Sequence, residues 1–301
     1  MKKFTYYSLV LLVLSVFMFS CNSNSDEQND SADTVTNDSE QKSDTLMKKW
    51  ESKKSLDVPE SVIYNPDKHV LYVSNVAGDP TEKNAKGFIS ELKPSGEISL
   101  LKWVEGMNAP KGMGIYDKQL YVTDIDKLII IDIEKATITE EIDVPDSQFL
   151  NDIAIDKDGR VYISDLVSGY VYRYKDDELL LWISDSLLTE TNGLYAKGDY
   201  LYMGTKNAVF KADLQTGVFE KYIDETGPID GLEAFDDKRF IISDWVGNIH
   251  LVSPDTDRKL LLSTVADTIN AADIQYLKDK KQLFVPTFFD NRVMMYDVQI
   301  K

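Results

Sequence analysis

Short runs of β-branched, aromatic and aliphatic residues recur from Met47 to the end of the chain, and no long stretch there has the spacing of an amphipathic helix. Asp, Gly, Lys or Asn residues bound each run, as in the segment Asn248–Ser253 and its flanks. Short apolar runs between turn residues are typical of β-strands. The pattern therefore predicts an all-β domain.

Six segments of this domain resemble one another. In each, a short motif with a polar or small residue is followed by a second strand, as Thr191–Asn192–Gly193 is followed by Tyr200–Met203. A period near 40 residues suits a four-stranded propeller blade. We therefore predict a six-bladed β-propeller over 47–301, because a two-sheet sandwich gives no reason for six similar units. The equivalent positions, 38 to 51 residues apart, are Glu60, Lys111, Asn151, Asn192, Asp230 and Ala272.

The sixth unit is one strand short. Its third strand is predicted at Arg292–Val298, and the chain ends at Lys301. An unpaired sheet edge is a liability that proteins usually cover. We expect the segment Lys48–Leu56, just before the first unit, to supply the outer strand of the last blade.

The first 21 residues have the features of an export signal. Lys2 and Lys3 precede an apolar run from Leu9 to Phe19, and the only cysteine, Cys21, follows shortly after. The run is short for a membrane-spanning helix. We interpret 1–21 as a lipoprotein signal peptide and expect an exported protein that is lipid-anchored through Cys21 at the cell envelope. We expect the outer membrane, and exposure at the cell surface is one of two interpretations of the segment that follows. The alternative is a simple secretory peptide that is cleaved nearby.

Residues 22–46 are polar and acidic, and they contain no Gly, Pro or aromatic residue. Such a segment buries too little apolar surface to offset its ordering entropy. We expect a disordered tether. Its acidic patch follows Cys21 directly, and we hold two interpretations open, a signal for sorting to the cell surface and a solubilising segment.

The charge balance excludes one class of partner. Asp and Glu outnumber Lys and Arg by 51 to 33, which gives a formal charge of −18. That charge opposes binding to phosphate backbones, so we expect no nucleic-acid partner. We expect membrane contact only through the lipid anchor, and a monomer.

The six equivalent positions predict a chemical site. The first strand of each propeller blade lines the central channel, so these residues should form a ring of two carboxylates, two amides, one amine and one methyl group. Glu60 and Asp230 cannot both stay ionised there without a cation, a shared proton or an ammonium group. Oxygen ligands favour Ca²⁺, with Mg²⁺ or Mn²⁺ as alternatives. The rival interpretation is a metal-free ion-pair cluster in which Lys111 neutralises both carboxylates.

Other chemistries lack a motif. Only two histidines are present, His69 and His250, and we expect surface or packing roles for them, which disfavours zinc. The sequence has no Gly-x-Ser-x-Gly elbow, no His-Glu-x-x-His helix and no phosphate-binding glycine loop. Ser/Thr–Asp pairs end three second strands, and we expect their carboxylates to cap turns. These carboxylates belong to Asp124, Asp165 and Asp244.

Four of the motifs resemble those of the regucalcin and gluconolactonase family, also called the senescence marker protein family. The similarity extends over roughly 54–298. It implies that Glu60, Asn192 and Asp230 bind a divalent metal and that Asn151 contacts water or substrate. The motifs are Pro59–Glu60–Ser61–Val62, Leu150–Asn151–Asp152, Thr191–Asn192–Gly193–Leu194 and Ile229–Asp230–Gly231–Leu232.

The resemblance implies a metal-dependent hydrolysis of lactones or related esters, in which Asp230 is the catalytic residue that accepts the proton of the attacking water. Sugar-lactone members carry an arginine two residues before the Asn-Asp asparagine, where this chain has Phe149. We expect Phe149 and Trp245, with Phe288, to form a more apolar mouth, and Lys111 to contact substrate with them.

A second hypothesis is a non-catalytic propeller that binds a glycan, a metabolite or a protein at the cell envelope. Fold alone does not choose between the two, because propellers serve both purposes.

Overall fold

The structure is a computed structural model that describes residues 44–301. The predicted signal peptide with Cys21, and the tether up to residue 43, lie outside the described residues. Within the described part of the chain, no helix has the length and apolar character needed to cross a bilayer.

Six four-stranded antiparallel sheets form the blades of a β-propeller, which confirms the predicted fold. First strands of neighbouring blades contact one another around the ring. Blade 1 contains β2 (Pro59–Asn65), β3 (Val70–Asn75), β4 (Gly87–Leu92) and β5 (Ile98–Met107); blade 2 contains β6 (Pro110–Tyr116), β7 (Gln119–Asp124), β8 (Lys127–Asp132) and β9 (Thr137–Asp143). Blade 3 contains β10 (Leu150–Ile155), β11 (Val161–Asp165), β12 (Tyr170–Lys175) and β13 (Glu178–Ser184).

The other three blades follow the same plan. Blade 4 contains β14 (Leu194–Lys197), β15 (Tyr200–Gly204), β16 (Ala208–Asp213) and β17 (Phe219–Asp224); blade 5 contains β18 (Leu232–Ala234), β19 (Phe240–Ser243), β20 (Asn248–Ser253) and β21 (Thr256–Ser263). Blade 6 contains β22 (Gln275–Leu277), β23 (Gln282–Pro286), β24 (Val293–Gln299) and, as its outer strand, β1 (Thr45–Glu51). Short 3₁₀ helices lie at Ser186–Leu188, Val265–Asp267, Lys278–Lys280 and Phe288–Asp290.

The N-terminal strand closes the ring as predicted. β1 pairs antiparallel with β24, and the register runs from Thr45 opposite Gln299 to Glu51 opposite Met294. The strand begins at Thr45, earlier than the predicted Lys48 and two residues before the predicted domain boundary. The reason is packing, since Leu46 is buried between the last two blades.

The apolar core is divided among the interfaces between blades. Each of six clusters joins two consecutive blades, including blade 6 to blade 1, where Phe284 and Met295 pack against Leu71 and Val73. The second and third strands carry most of these side chains, whereas outer strands such as β9 are mostly exposed. Packing at the blade interfaces therefore holds the first strands around the axis, where the site lies.

Candidate functional site

The six ring positions do converge. Five of them line one cavity of about 470 Å³ at the channel mouth. The sixth, Ala272, is fully buried and packs beside that cavity with Phe288. The structure thus brings all six predicted ring positions together. The five that line the cavity are Glu60, Lys111, Asn151, Asn192 and Asp230.

Backbone irregularities aim the ring side chains inward. In blades 1 to 3 the register between the first two strands shifts across the ring position, for example between Leu150 and Ile153. Such β-bulges turn a side chain away from the regular pleat. In blades 4 and 5 the ring residues Asn192 and Asp230 precede the regular strand. The irregular backbone at the start of each first strand therefore sets the direction of the ring side chains.

Buried hydroxyl groups join the ring residues of neighbouring blades. Ser164 Oγ accepts a hydrogen bond from Asp152 N (2.9 Å) and donates one to Asn192 O (2.8 Å) in the next blade. Ser243 Oγ does the same between Gly231 N and Ala272 O, over 2.8 Å in each bond. These bonds fix the spacing of the ring.

Close contact between neighbouring blades explains the glycine that follows two ring residues. A Cβ on Gly193 would lie 2.6 Å from Asp230 O, and one on Gly231 would lie 2.5 Å from Ile274 N. Both distances are shorter than any Cβ contact a fold tolerates without moving backbone. The Asn-Gly and Asp-Gly motifs are thus required by packing as well as by any chemistry.

The two ring carboxylates are buried, and their surroundings disfavour the ionised form of each. Burial, followed by the charges of Asp230 and Asp273, raises the pKa of Glu60 well above its usual range. Burial and the charge of Asp273 raise the pKa of Asp230 to about 8. Withdrawal from water disfavours the charged form of each group, so the ring favours either a proton or a positive charge.

Two ring oxygens have no hydrogen-bond partner among the described residues. Asn192 Nδ2 donates to Asp230 Oδ1 over 2.5 Å, which leaves Asn192 Oδ1 buried and unpaired. Glu60 Oε2 is likewise buried and unpaired. A buried acceptor without a donor is costly. The ring therefore presents two unsatisfied oxygens to whatever occupies the cavity.

Lys111 does not neutralise the carboxylates by direct contact. Its Nζ donates to Ala109 O over 3.0 Å and lies 4.4 Å from the centroid of the Phe149 ring. Within 44–301 it forms no ion pair with a carboxylate. Burial lowers the pKa of Lys111 to about 8, although the charges of Glu60 and Asp124 oppose the shift. The rival ion-pair cluster would need direct contacts between Lys111 and the carboxylates, and the described residues do not form them.

Aromatic residues form one side of the mouth, as the sequence indicated. Phe149, Trp245 and Phe288 line the cavity, and Phe289 joins them from the exposed end of the Phe288–Asp290 turn. The loop after β3 contributes Pro80 to the wall. Sequence reasoning missed Phe289, although its place beside Phe288 in the predicted loop would have suggested it.

Asp165 and Asp244 cap turns as expected, whereas Asp124 does not. Asp165 accepts hydrogen bonds from four backbone amides, those of Gln148, Phe149, Val167 and Ser168. Asp244 accepts from Gly247 N and Asn248 N in its own turn, whereas Asp124 accepts from Asn108 N and Ala109 N in the link that precedes blade 2. The two histidines do not line the cavity. His69 is in a turn and His250 is in β20.

A second carboxyl layer lies next to the ring. Asp152 and Asp273 each follow a ring residue, and with Glu233 they line a narrow space farther along the channel. Burial raises the pKa of all three, that of Asp273 to about 7. The sequence repeat could have predicted Asp152 and Asp273, because each occupies the position directly after a ring residue.

A conventional metal cluster is not apparent. Among residues 44–301, no group of three or more His, Cys, Asp or Glu side chains is arranged to hold a metal ion. The predicted ligand set has two carboxylates and one amide, so a cation there would need further oxygens from the chain, water or substrate.

No known family model matches the chain, and no curated protein sequence matches it. Solved structures do. A streptogramin B lyase superposes with a TM-score of 0.61 at 13% identity, covering 85% of this chain and 98% of that one. An inactive virginiamycin B lyase from Staphylococcus aureus, solved with quinupristin, gives 0.61 at 11% identity and coverages of 85% and 100%.

A protein provisionally assigned as a gluconolactonase gives a TM-score of 0.62 at 16% identity, covering 86% of this chain and 93% of that one. At these identities the likeness shows the fold, a six-bladed propeller, and does not assign a family. The chemistry must be argued from the cavity itself.

Proposed function

We propose that this protein is a metal-dependent hydrolase of lactones or related esters. The observation that carries the proposal is the pair of unpaired buried oxygens, Glu60 Oε2 and Asn192 Oδ1, at a cavity with apolar walls. Largely apolar pockets with a few convergent polar groups are the usual form of a small-molecule site. A provisionally assigned gluconolactonase has the same fold, which is compatible with this chemistry.

The residues fit a divalent cation, most simply Ca²⁺. Glu60, Asn192 and Asp230 supply only oxygen atoms, which hard cations prefer. Positive charge would also relieve the repulsion between two buried carboxylates, and it would satisfy the two unpaired oxygens. When bound, such an ion would polarise the carbonyl of the ester.

Three side chains have roles that follow from their own chemistry. Asp230 takes up the proton released by the attacking water, which requires its ionised form. Burial raises the pKa of Asp230 to about 8 and disfavours that form, and a cation held by the ring would restore it. Asn151 orients water or substrate through its amide. Lys111 donates to the negative charge that develops on the carbonyl oxygen, because two of its three ammonium protons are not used by Ala109 O.

The competing hypothesis is a binding propeller without catalysis, for a glycan, a metabolite or a protein. The small number of acidic ligands favours it, since the described residues contain no group of three His, Cys, Asp or Glu side chains arranged to hold a metal ion. Lys111 and the asparagines would then bind an anionic or polar ligand directly.

A substrate panel separates the two hypotheses. Full-length protein is assayed on lactones and aryl esters with Ca²⁺, Mg²⁺ or Mn²⁺ and with a chelator, beside Asp230→Asn and the exposed control Glu220→Gln. We expect cation-dependent turnover that Asp230→Asn reduces at least about 100-fold, in the range of a lost acid–base group. Turnover that Asp230→Asn leaves intact removes Asp230 from the mechanism, and no turnover on any substrate favours the binding propeller.

We also propose that the protein is exported and lipid-anchored at the cell envelope. The proposal rests on Lys2, Lys3, the apolar run and Cys21 in the sequence. Metabolic labelling with a fatty acid should mark the wild-type protein and not Cys21→Ser. Equal labelling of both would exclude Cys21 as the anchor.

A further inference from the structure

The cavity has two chemically different regions. The ring groups at its base carry charge or amide dipoles, whereas its wall consists largely of apolar side chains, among them Pro80, Phe149, Ile229 and Trp245. A ligand that fills the cavity therefore meets polar atoms at one end only. Its other end contacts apolar side chains.

The charged groups of the mouth are already paired. Lys206 Nζ lies 2.8 Å from Glu190 Oε1. Asp244 accepts hydrogen bonds from Gly247 N, Asn248 N and Asn248 Nδ2. Lys206 and Glu190 keep further donors and acceptors, but both side chains are largely exposed (70% and 48%) and remain solvated. The wall itself offers ligand hydroxyls few partners, because it consists largely of apolar side chains.

Three aromatic rings in the wall hold one another in place. The Trp245 centroid lies 5.5 Å from that of Phe288 and 5.9 Å from that of Phe289, and the two Phe centroids are 4.9 Å apart. Phe288 is buried and anchors the group, whereas Phe289 is 64% exposed and Trp245 38%. The group is therefore preformed and keeps free aromatic surface.

The backbone beneath two of these rings is in an unusual conformation. Trp245 has φ of +59° and Phe288 has φ of +46°, in the left-handed region that bulky residues rarely adopt. Such conformations cost free energy and concentrate at ligand-binding sites. Both residues follow the end of a second strand. An extended backbone at these positions would point the aromatic side chain in a different direction. Ile125, at the equivalent turn of blade 2, has the same conformation (φ +59°) without lining the cavity, so the conformation belongs to the turn. In blades 5 and 6 it places an aromatic ring in the cavity wall.

We infer that the ligand of this cavity carries an alkyl or aryl group beside its carbonyl head, so that the substrate is an amphiphilic lactone or ester and not a polyhydroxylated sugar lactone. The hydroxyls of a sugar would lose water against the wall without gaining partners. An alkyl group would gain from burial, by about threefold to fourfold in affinity for each methylene. The word substrate here rests on the proposed function, whereas the preference for an apolar group does not.

The test compares γ-lactones with methyl, butyl and hexyl side chains, and glucono-δ-lactone, in one medium with full-length protein. We expect kcat/KM to rise by roughly two to three orders of magnitude from methyl to hexyl, where all five added methylenes are buried, and to be lowest for the sugar lactone. Phe289→Ala and Trp245→Ala should flatten the rise. Tyr200→Ala is the control. Tyr200 is as exposed as Trp245 (38%), but it lies at the start of β15, away from the cavity, so this variant should keep the rise of kcat/KM with chain length.

A binding measurement separates this inference from the proposed hydrolysis. Calorimetric titration with γ-lactams that carry the same side chains reports affinity without turnover. If lactams bind with a chain-length dependence that Phe289→Ala removes, but no lactone is hydrolysed, the hydrolase proposal fails and the amphiphilic ligand stands. Affinity that is independent of chain length, equal in Phe289→Ala, or absent for every lactam overturns the inference.

Discussion

Asn192 binds Asp230 through its amide nitrogen, over 2.5 Å from Nδ2 to Oδ1, so that its own oxygen is left without a donor. The two residues belong to adjacent blades and are 38 positions apart in the chain. The Asn192 amide thus binds a carboxylate with its nitrogen and presents its unpaired oxygen to the cavity. With Glu60 Oε2 it defines where a positive charge would be most strongly stabilised.

Glu60→Gln should abolish the stabilisation of the protein by divalent cations. A ligand that binds only the folded state, at 100 times its Kd, adds about 2.7 kcal/mol, which raises the Tm of a domain this size by roughly 5 °C. Differential scanning fluorimetry with Ca²⁺ and with chelator measures the shift. Glu220→Gln, an exposed substitution of the same kind, should shift as the wild type does.

In chelator at pH 8, Glu60→Gln should be at least as stable as the wild type. The raised pKa of Glu60 means that its ionised form is disfavoured in the folded protein, and glutamine removes that cost. A wild type that does not respond to millimolar Ca²⁺, Mg²⁺ or Mn²⁺ would exclude the cation site.

Lys111→Met should tighten cation binding and slow hydrolysis. The ammonium group repels a cation in the same cavity, so its removal should raise the affinity roughly tenfold at pH 7, where Lys111 is protonated. Calorimetric titration of Ca²⁺ gives the affinity. If Lys111 were instead the counter-charge of a structural cluster, the substitution would destabilise the fold by about 3 kcal/mol or more and leave no cation effect.

Asp273→Asn should flatten the pH dependence of stability in chelator. Burial raises the pKa of Asp273 to about 7 in the folded protein, whereas the unfolded chain releases this proton near pH 3.8. Stability is therefore lost as pH rises from about 4 to 7, by as much as about 1.4 kcal/mol for each pH unit. Denaturant unfolding at pH 5, 6 and 7 measures the slope.

The asparagine keeps an oxygen that accepts from Ser61 Oγ, so the variant should fold. Asp237→Asn changes a fully exposed carboxylate (99%) and should retain the wild-type slope. A slope that Asp273→Asn leaves unchanged would assign the pH dependence to other groups of the channel.

Leu46→Ala should weaken the closure of the ring. Leu46 is 6% exposed and packs between blades 5 and 6, so its truncation should cost about 2 kcal/mol or more in the free energy of unfolding. Met47→Ala, at the next position and 48% exposed, should cost far less. Guanidinium unfolding compares the two, and equal losses would show that β1 contributes little to closure.

The repeat allowed much of the architecture to be predicted. Equivalent positions in six similar units must lie at equal depth in a closed ring, so the convergence of Glu60, Asn192 and Asp230 followed from spacing alone. The third strand of the fifth unit, Asn248–Ser253, has the predicted bounds.

Side-chain directions could not be predicted in the same way. Lys111 turns toward Ala109 O and the Phe149 ring because desolvation and a backbone acceptor compete with the carboxylates, and no spacing rule weighs these forces. The start of β1 was also missed, because a single buried leucine in a polar segment gives no periodic signal.

The closing strand has a practical consequence for engineering. Lys301 N donates to Asp44 Oδ1 over 3.0 Å, so both ends of the propeller meet at the rim of one blade. A short peptide could join them, and new ends could be opened at an exposed turn such as the one at Gln215 and Thr216. The resulting circular permutant would retain every hairpin of blades 1 to 3, 5 and 6, and its chain would start at the outer hairpin of blade 4.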